Sequence, residues 1–242
     1  MKKSLEKHEL LITISSIVIY LLVNSLCINN FGDTHYITAI ANILLSLIII
    51  IFILKNNLVS YYKLDSFPKL KQFLYFIPLL LLMSVNLWSG ININNSIPEI
   101  IFFIISMICV GFLEEIIFRG FLFQMMSKDS LHQAILVTSL TFGIGHVLNL
   151  LNGAEFIPTI IQIIYAVSTG YMFAIILVKG NSLWPCIITH SVVNALSIFN
   201  IDNTVSLYIA PIILTIIPIL YSVYLNKSIK EKELWSMNTI IQ

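Results

Sequence analysis

Eight long apolar stretches, separated by short polar segments, dominate the pattern of the sequence. A helix that spans a bilayer needs about 20 mostly apolar residues, and it satisfies its own backbone hydrogen bonds. The stretches that approach or meet this length are Leu10–Asn29, Tyr36–Leu54, Phe73–Trp88, Ile97–Met125, Leu131–Leu150, Pro158–Val178, Leu183–Phe199 and Ser206–Leu225. The sequence therefore predicts an all-α, polytopic transmembrane helix bundle with about eight spans.

Basic residues occupy alternate connections between these stretches. Lysines lie before the first stretch, after the last, and after the second, fourth and sixth: Lys2, Lys3, Lys7, Lys55, Lys63, Lys69, Lys71, Lys128, Lys179, Lys227, Lys230 and Lys232. The other four connections hold no Lys or Arg and carry Asp33, Glu99, Glu155 and Asp202. Because cytoplasmic loops are enriched in Lys and Arg, this alternation predicts that both termini are cytoplasmic.

Composition supports a membrane protein of one domain. Of the residues, 58% are hydrophobic and 10% are charged, whereas soluble domains carry about 25% charged residues. No stretch outside the predicted spans is long enough to form a second domain, so we expect one multi-pass domain over residues 1–242, surrounded by membrane lipids. The net charge of +1 and the lack of a basic cluster argue against a nucleic-acid partner.

Three ionisable residues lie in the middle of the fourth apolar stretch. Each charge at bilayer depth costs about 2.5–3.5 kcal/mol on insertion scales. Glu115 and Arg119, the only arginine of the chain, are four residues apart and can pair on one helix face. Glu114 points about 100° away and has no partner at that spacing on its own helix. These residues form either a purely structural ion pair with one protonated acid, or a structural pair beside a free, reactive Glu114.

Two further polar clusters lie in the fifth and seventh stretches. His146 is an isolated imidazole, and Gly143 and Gly145 leave room for another helix to approach it. His190 and Asn194 are four residues apart and share one helix face. Hydrogen bonding between helices would explain each cluster without catalysis. Each cluster alone is therefore consistent with either a structural or a catalytic role.

Taken together, the clusters suggest one shared site. Unpaired polar side chains in lipid are costly, so Glu114, His146 and His190 are expected to converge on one hydrated cavity. A Glu and two neutral His can bind Zn²⁺ with one position open for water. Equally, a Glu beside a His can activate water without metal, and Asn194 or His190 could donate to the developing oxyanion. The residues leave both alternatives open.

The three clusters resemble the motifs of the CPBP family of intramembrane proteases. The residues that carry the resemblance are Glu114-Glu115-x-x-x-Arg119, Phe142-x-x-x-His146 and His190-x-x-x-Asn194. This family includes the Ras-converting CAAX endopeptidase and bacterial bacteriocin-immunity relatives. The resemblance covers residues 111–194 and implies a catalytic core over residues 98–200.

The resemblance also implies a role for each motif residue. The catalytic residues would be Glu114, His146, His190 and Asn194. The supporting residues would be Glu115, Arg119 and Phe142. Glu114 and His146 would activate the attacking water. His190 and Asn194 would stabilise the oxyanion; if Zn²⁺ is bound, its ligands would be Glu114, His146 and His190.

The expected function is that of an intramembrane endopeptidase in a bacterial plasma membrane. Its active site would open toward the cytoplasm, and its substrate would be a membrane-associated peptide or protein. Two alternatives remain: a non-catalytic membrane protein of the bacteriocin-immunity type, and a proton-coupled small transporter, because intramembrane Glu and His also suit proton relays.

Overall fold

The computed structural model describes residues 3–66 and 77–228, and this part of the chain is helical, without a β-strand. Its α-helices are α1 (Lys3–Phe31), α2 (Tyr36–Lys55), α3 (Ile77–Ser84), α4 (Ile97–Glu115), α5 (Phe123–Ser127), α6 (Leu131–Gly145), α7 (Phe156–Gly180), α8 (Trp184–Leu196) and α9 (Ala210–Ser228). A π-helical turn, Ile116–Leu122, joins α4 to α5 without a break, and another, Val205–Ile209, precedes α9. Short 3₁₀ turns extend α3, α6 and α8.

Six of these helical segments are long and apolar enough to cross a membrane. They are Glu6–Phe31, Tyr36–Lys55, Ile97–Ser127, Leu131–Leu150, Phe156–Gly180 and Val205–Lys227. Two shorter apolar helices, Ile77–Leu87 and Trp184–Phe199, correspond to the third and seventh predicted spans. The all-α, polytopic bundle is thus confirmed, while the count of eight spans and the cytoplasmic termini stay predictions.

Several sequence predictions fall outside the described residues. They concern the beginning of the third predicted span at Phe73 and a set of lysines, namely Lys2, Lys69, Lys71, Lys230 and Lys232. The division into one domain over residues 1–242 with a core at 98–200 also stays a prediction.

Two glycines allow the helices around the polar residues to approach closely. A Cβ on Gly111 of α4 would lie 2.5 Å from Ser191 Oγ and 2.6 Å from the Ser191 backbone nitrogen on α8. A Cβ on Gly143 of α6 would lie 2.3 Å from Val167 Cγ2 and 3.0 Å from the Ile163 carbonyl oxygen on α7. The sequence pattern therefore identified Gly143 correctly as a packing position.

Gly145 differs from Gly143, because no atom lies within 4 Å of the Cβ position on Gly145. The expectation that both glycines admit a neighbouring helix is therefore wrong for Gly145. The reason is geometric: positions two residues apart on a helix differ by about 200° in direction, so only one of them faces α7.

The two glycines provide a matched test of the packing. We expect Gly143→Ala to lower the free energy of unfolding by about 1–3 kcal/mol, because the new methyl group meets backbone atoms that cannot move freely. Gly145→Ala should leave that free energy unchanged or slightly raised, since Ala favours the helix more than Gly does. Reversible unfolding in mixed micelles measures both, and equal effects of the two substitutions would contradict the described packing.

Candidate active site

A fully buried ion pair forms the base of the site. Arg119 Nη1 lies 3.1 Å from Glu115 Oε1, and neither side chain is exposed. The guanidinium carbon of Arg119 lies 4.2 Å from the centre of the Phe142 ring and 5.6 Å from that of Phe173, where cation–π attraction is favourable. Gly170 of α7 leaves room for this group, because a Cβ there would lie 2.8 Å from Arg119 Nη2.

The π-helical turn carries one half of this pair. Glu115 is the last residue of α4, and Arg119 lies within Ile116–Leu122, of which every residue is buried. Single π-helical turns occur frequently at functional sites. The sequence did not predict this turn, because a π-helical turn has no distinct hydrophobic period of its own.

His190 connects the ion pair to the second glutamate. Its Nδ1 lies 2.8 Å from Glu115 Oε1, and its Nε2 lies 3.4 Å from Glu114 Oε2. Since the Glu115 carboxylate can only accept at Nδ1, that nitrogen carries a proton and Nε2 faces Glu114. A partner on one ring nitrogen fixes the orientation of the other. The contact between His190 and Glu115 adds a role for Glu115 that the spacing of α4 alone did not indicate.

Glu114 receives a second contact from the first helix. The Tyr20 hydroxyl donates to Glu114 Oε1 at 2.5 Å, and Tyr20 is only 3% exposed. Sequence reasoning missed Tyr20, because the first apolar stretch carries no family motif. A signal was present: Tyr20 and Asn24 are four residues apart on one face of a mostly apolar stretch, and both line the cavity described next.

A cavity of about 420 Å³ brings the predicted catalytic residues together. Its lining includes Glu114, His146, His190 and Asn194. Phe142, which also lines the cavity, meets the rings of both histidines edge-on, at centroid distances of 5.6 Å to His146 and 5.5 Å to His190. His146 begins the 3₁₀ turn that follows α6. The arrangement can place a water molecule among a carboxylate and two imidazoles.

The spacing of these side chains decides whether they can hold a metal ion. Zinc ligands of the His and Glu types lie about 2.0–2.2 Å from the ion, so three such ligands must crowd around one point. Among residues 3–66 and 77–228, no group of three or more His, Cys, Asp or Glu side chains is arranged to hold a metal ion. Glu114, His146 and His190 therefore share a cavity without forming a ligand set as they are placed.

Comparison with known proteins gave one family match. Residues 96–196 match the family model described as Rce1-like, type II CAAX prenyl endopeptidase. None of the curated proteins matches the chain. The matched segment begins just before α4 and ends with α8, so it includes all three motifs and the cavity residues that they supply. This match supports the assignment of the chain to the CPBP family of CAAX-type intramembrane proteases.

Proposed function

We propose that the protein is an intramembrane endopeptidase that hydrolyses peptide bonds of a membrane-associated peptide or protein in a bacterial plasma membrane. The observation that carries this proposal is the shared cavity of Glu114, His146, His190 and Asn194 inside an apolar bundle. Protein walls exclude most bulk water from such a site, which strengthens every electrostatic contact within it.

Glu114 is the general base in this proposal. Tyr20 occupies Oε1 and thereby orients the carboxylate, while Oε2 faces His190. A water O–H bond breaks as its proton passes to Glu114, and the water oxygen forms a bond to the carbonyl carbon of the substrate. When the carbon–nitrogen bond then breaks, the same proton passes to the leaving amine. His146, which lines the same cavity as Glu114, holds the attacking water by a hydrogen bond.

His190 and Asn194 stabilise the oxyanion. When both ring nitrogens of His190 carry a proton, the charges of Glu114, Glu115, Arg119 and His190 sum to zero, which suits a buried cluster. In that state Nε2–H can donate to the negative oxygen of the tetrahedral intermediate. The amide of Asn194, one turn further along α8, supplies a second donor from the same face.

The mechanism proceeds without a bound metal ion. Two observations support this. Among the described residues, no three side chains are arranged as metal ligands, and the Glu114 carboxylate already has the His190 imidazole as a neighbour. If Zn²⁺ were bound, Glu114, His146 and His190 would have to move closer together to hold it, and the ion would polarise the substrate carbonyl.

Replacing the general base tests the proposed function. We expect Glu114→Gln to reduce kcat by about 10²- to 10⁴-fold, because an amide cannot accept the proton from water. The isosteric side chain should preserve the fold. Glu155→Gln is the matched control, since Glu155 is exposed at the start of α7 and its side chain makes no capping hydrogen bond. Cleavage of a membrane-bound peptide library by purified protein provides the measurement.

If Glu114→Gln cleaves as well as the native protein does, Glu114 is not the base. If neither protein cleaves but both confer the same protection against a bacteriocin, the chain acts without catalysis. Substrate flux into proteoliposomes without peptide products would indicate a transporter instead.

Metal removal tests the second part of the proposal. We expect purified protein to contain metal well below one ion per chain and to keep its activity after dialysis against a chelator, because Glu114 and His146 suffice to activate water. Metal analysis by mass spectrometry and the cleavage assay are measured on the same sample. Loss of activity in the chelator, with recovery on addition of Zn²⁺ alone, would contradict the metal-free mechanism.

A further inference from the structure

The cavity occupies only one end of the bundle. On α4 its lining runs from Phe103 to Glu114 and does not continue toward α5, and on α8 it runs from Thr189 onward into the 3₁₀ turn at Ser197. On α1 the lining begins at Tyr20, and it continues to Asp33 in the connection to α2. Glu114 and His190 therefore lie at the floor of the cavity, and its walls lead to the end of the bundle where Asp33 lies.

This end is the one that carries the acidic connections, and we call it the acidic face. It is formed by connections and helix beginnings that carry the exposed residues Asp33, Glu99, Glu155 and Asp202. Side-chain hydrogen bonds join segments at this end: Ser25 of α1 donates to Asn152 Oδ1 at 2.6 Å, and Ser89 donates to Asn200 Oδ1 at 2.6 Å. The acidic face thus has an ordered rim around the cavity.

The opposite end, the lysine face, carries Lys55, Lys63, Lys128 and Lys179 and the end of α9 with Lys227. The connection 56–66 packs into the bundle there. Leu58 and Tyr62 are 1% and 4% exposed, and the Tyr62 ring lies 5.1 Å from that of Phe121.

Hydrogen bonds fix this connection to the beginning of α8 and to the turn before it. The Leu183 amide donates to the Lys63 carbonyl at 3.0 Å, and Trp184 Nε1 donates to the Leu64 carbonyl at 2.9 Å. Ser66 donates from its hydroxyl to the Asn181 carbonyl at 2.7 Å. The lysine end of α8 is therefore covered by polypeptide, and His190 lies beyond this cover.

Glu9 links further segments at the lysine face. Its carboxylate pairs with Lys128 and accepts from the Tyr61 hydroxyl at 2.8 Å. Burial, followed by the charge of Glu9, raises the pKa of Tyr61, so the hydroxyl remains protonated and continues to donate. These contacts join α1, the connection after α2 and the end of α5.

The cavity and the lysines therefore lie at opposite ends of the bundle. Cytoplasmic termini and an active site open to the cytoplasm, both expected from the sequence, are incompatible in this structure. The first follows from every connection of the chain, whereas the second has no support from the cavity, which leads to the acidic face.

We propose that the lysine face is cytoplasmic and that substrate enters the cavity from the extracytoplasmic side. The substrates would then be exported peptides or outward-facing segments of membrane proteins, and cytoplasmic chains would not reach Glu114. The cleavage itself rests on the proposed function, but the side of entry depends only on topology and cavity shape.

Cysteine accessibility in the full-length protein tests the side of entry. Single cysteines are introduced in a background in which Cys27, Cys109 and Cys186 are replaced by Ala. Asp202→Cys reports on the acidic face and Asp129→Cys on the lysine face. Val193→Cys and Ser197→Cys report on the cavity. Asp202 and Asp129 are exposed, and Val193 and Ser197 line the cavity. A small, charged, membrane-impermeant methanethiosulfonate reagent is applied to intact cells and to inverted membrane vesicles.

In intact cells, we expect the reagent to label Asp202→Cys, Val193→Cys and Ser197→Cys. It should not label Asp129→Cys. Inverted vesicles should give the reverse. Labelling of the two cavity positions only in inverted vesicles, or from neither side, would overturn the proposal, and so would labelling of Asp129→Cys in intact cells. Because labelling needs no proteolysis, a correctly labelled but inactive protein would refute the proposed function and leave the side of entry standing.

Discussion

The contact on which the structure depends is the buried pair of Glu115 and Arg119. Removing two charges from water costs several kcal/mol for each ion, and this cost is recovered only when the ions are well paired. The protein supplies that pairing at 3.1 Å and surrounds the guanidinium with aromatic faces. A glycine on α7 leaves the necessary space. The contacts of Arg119 thereby hold α6 and α7 to the helix that carries the pair.

The pair also determines what the neighbouring residues can do. Glu115 accepts from His190 Nδ1, so the imidazole is held with Nε2 toward Glu114. Glu114 lies outside the ion pair: its Oε1 accepts from the Tyr20 hydroxyl, and its Oε2 lies 3.4 Å from His190 Nε2. Two adjacent glutamates therefore have different surroundings: one is a fully buried anchor of the fold, and the other lines the cavity.

The sequence predicted those features that follow from short-range spacing. The four-residue interval between Glu115 and Arg119 indicated their pairing, and apolar length indicated the membrane bundle. Polar residues within apolar stretches indicated which side chains line the cavity, and the structure places Glu114, His146, His190 and Asn194 there. In each case, one helix and its environment contained the necessary information.

The missed features depend on how distant segments pack. Tyr20 reaches Glu114 across 94 positions of sequence, and nothing in α1 alone shows which helix it faces. Gly145 resembles Gly143 in sequence but faces away from α7. The direction of the cavity was also missed, because it depends on the connection 56–66 packing over one end of α8. Such contacts become visible only when the helices are assembled.

A double-substitution cycle on the buried pair tests the central claim most directly. The free energy of unfolding is measured for the native protein, Glu115→Gln, Arg119→Met and the double variant. If the pair anchors the fold, Arg119→Met alone should cost about 3–5 kcal/mol, because it leaves a buried carboxylate unbalanced. The double variant should then lose less than the sum of the two single losses, with a coupling of about 0.5–3 kcal/mol. Additive losses, or a small effect of Arg119→Met, would contradict the account.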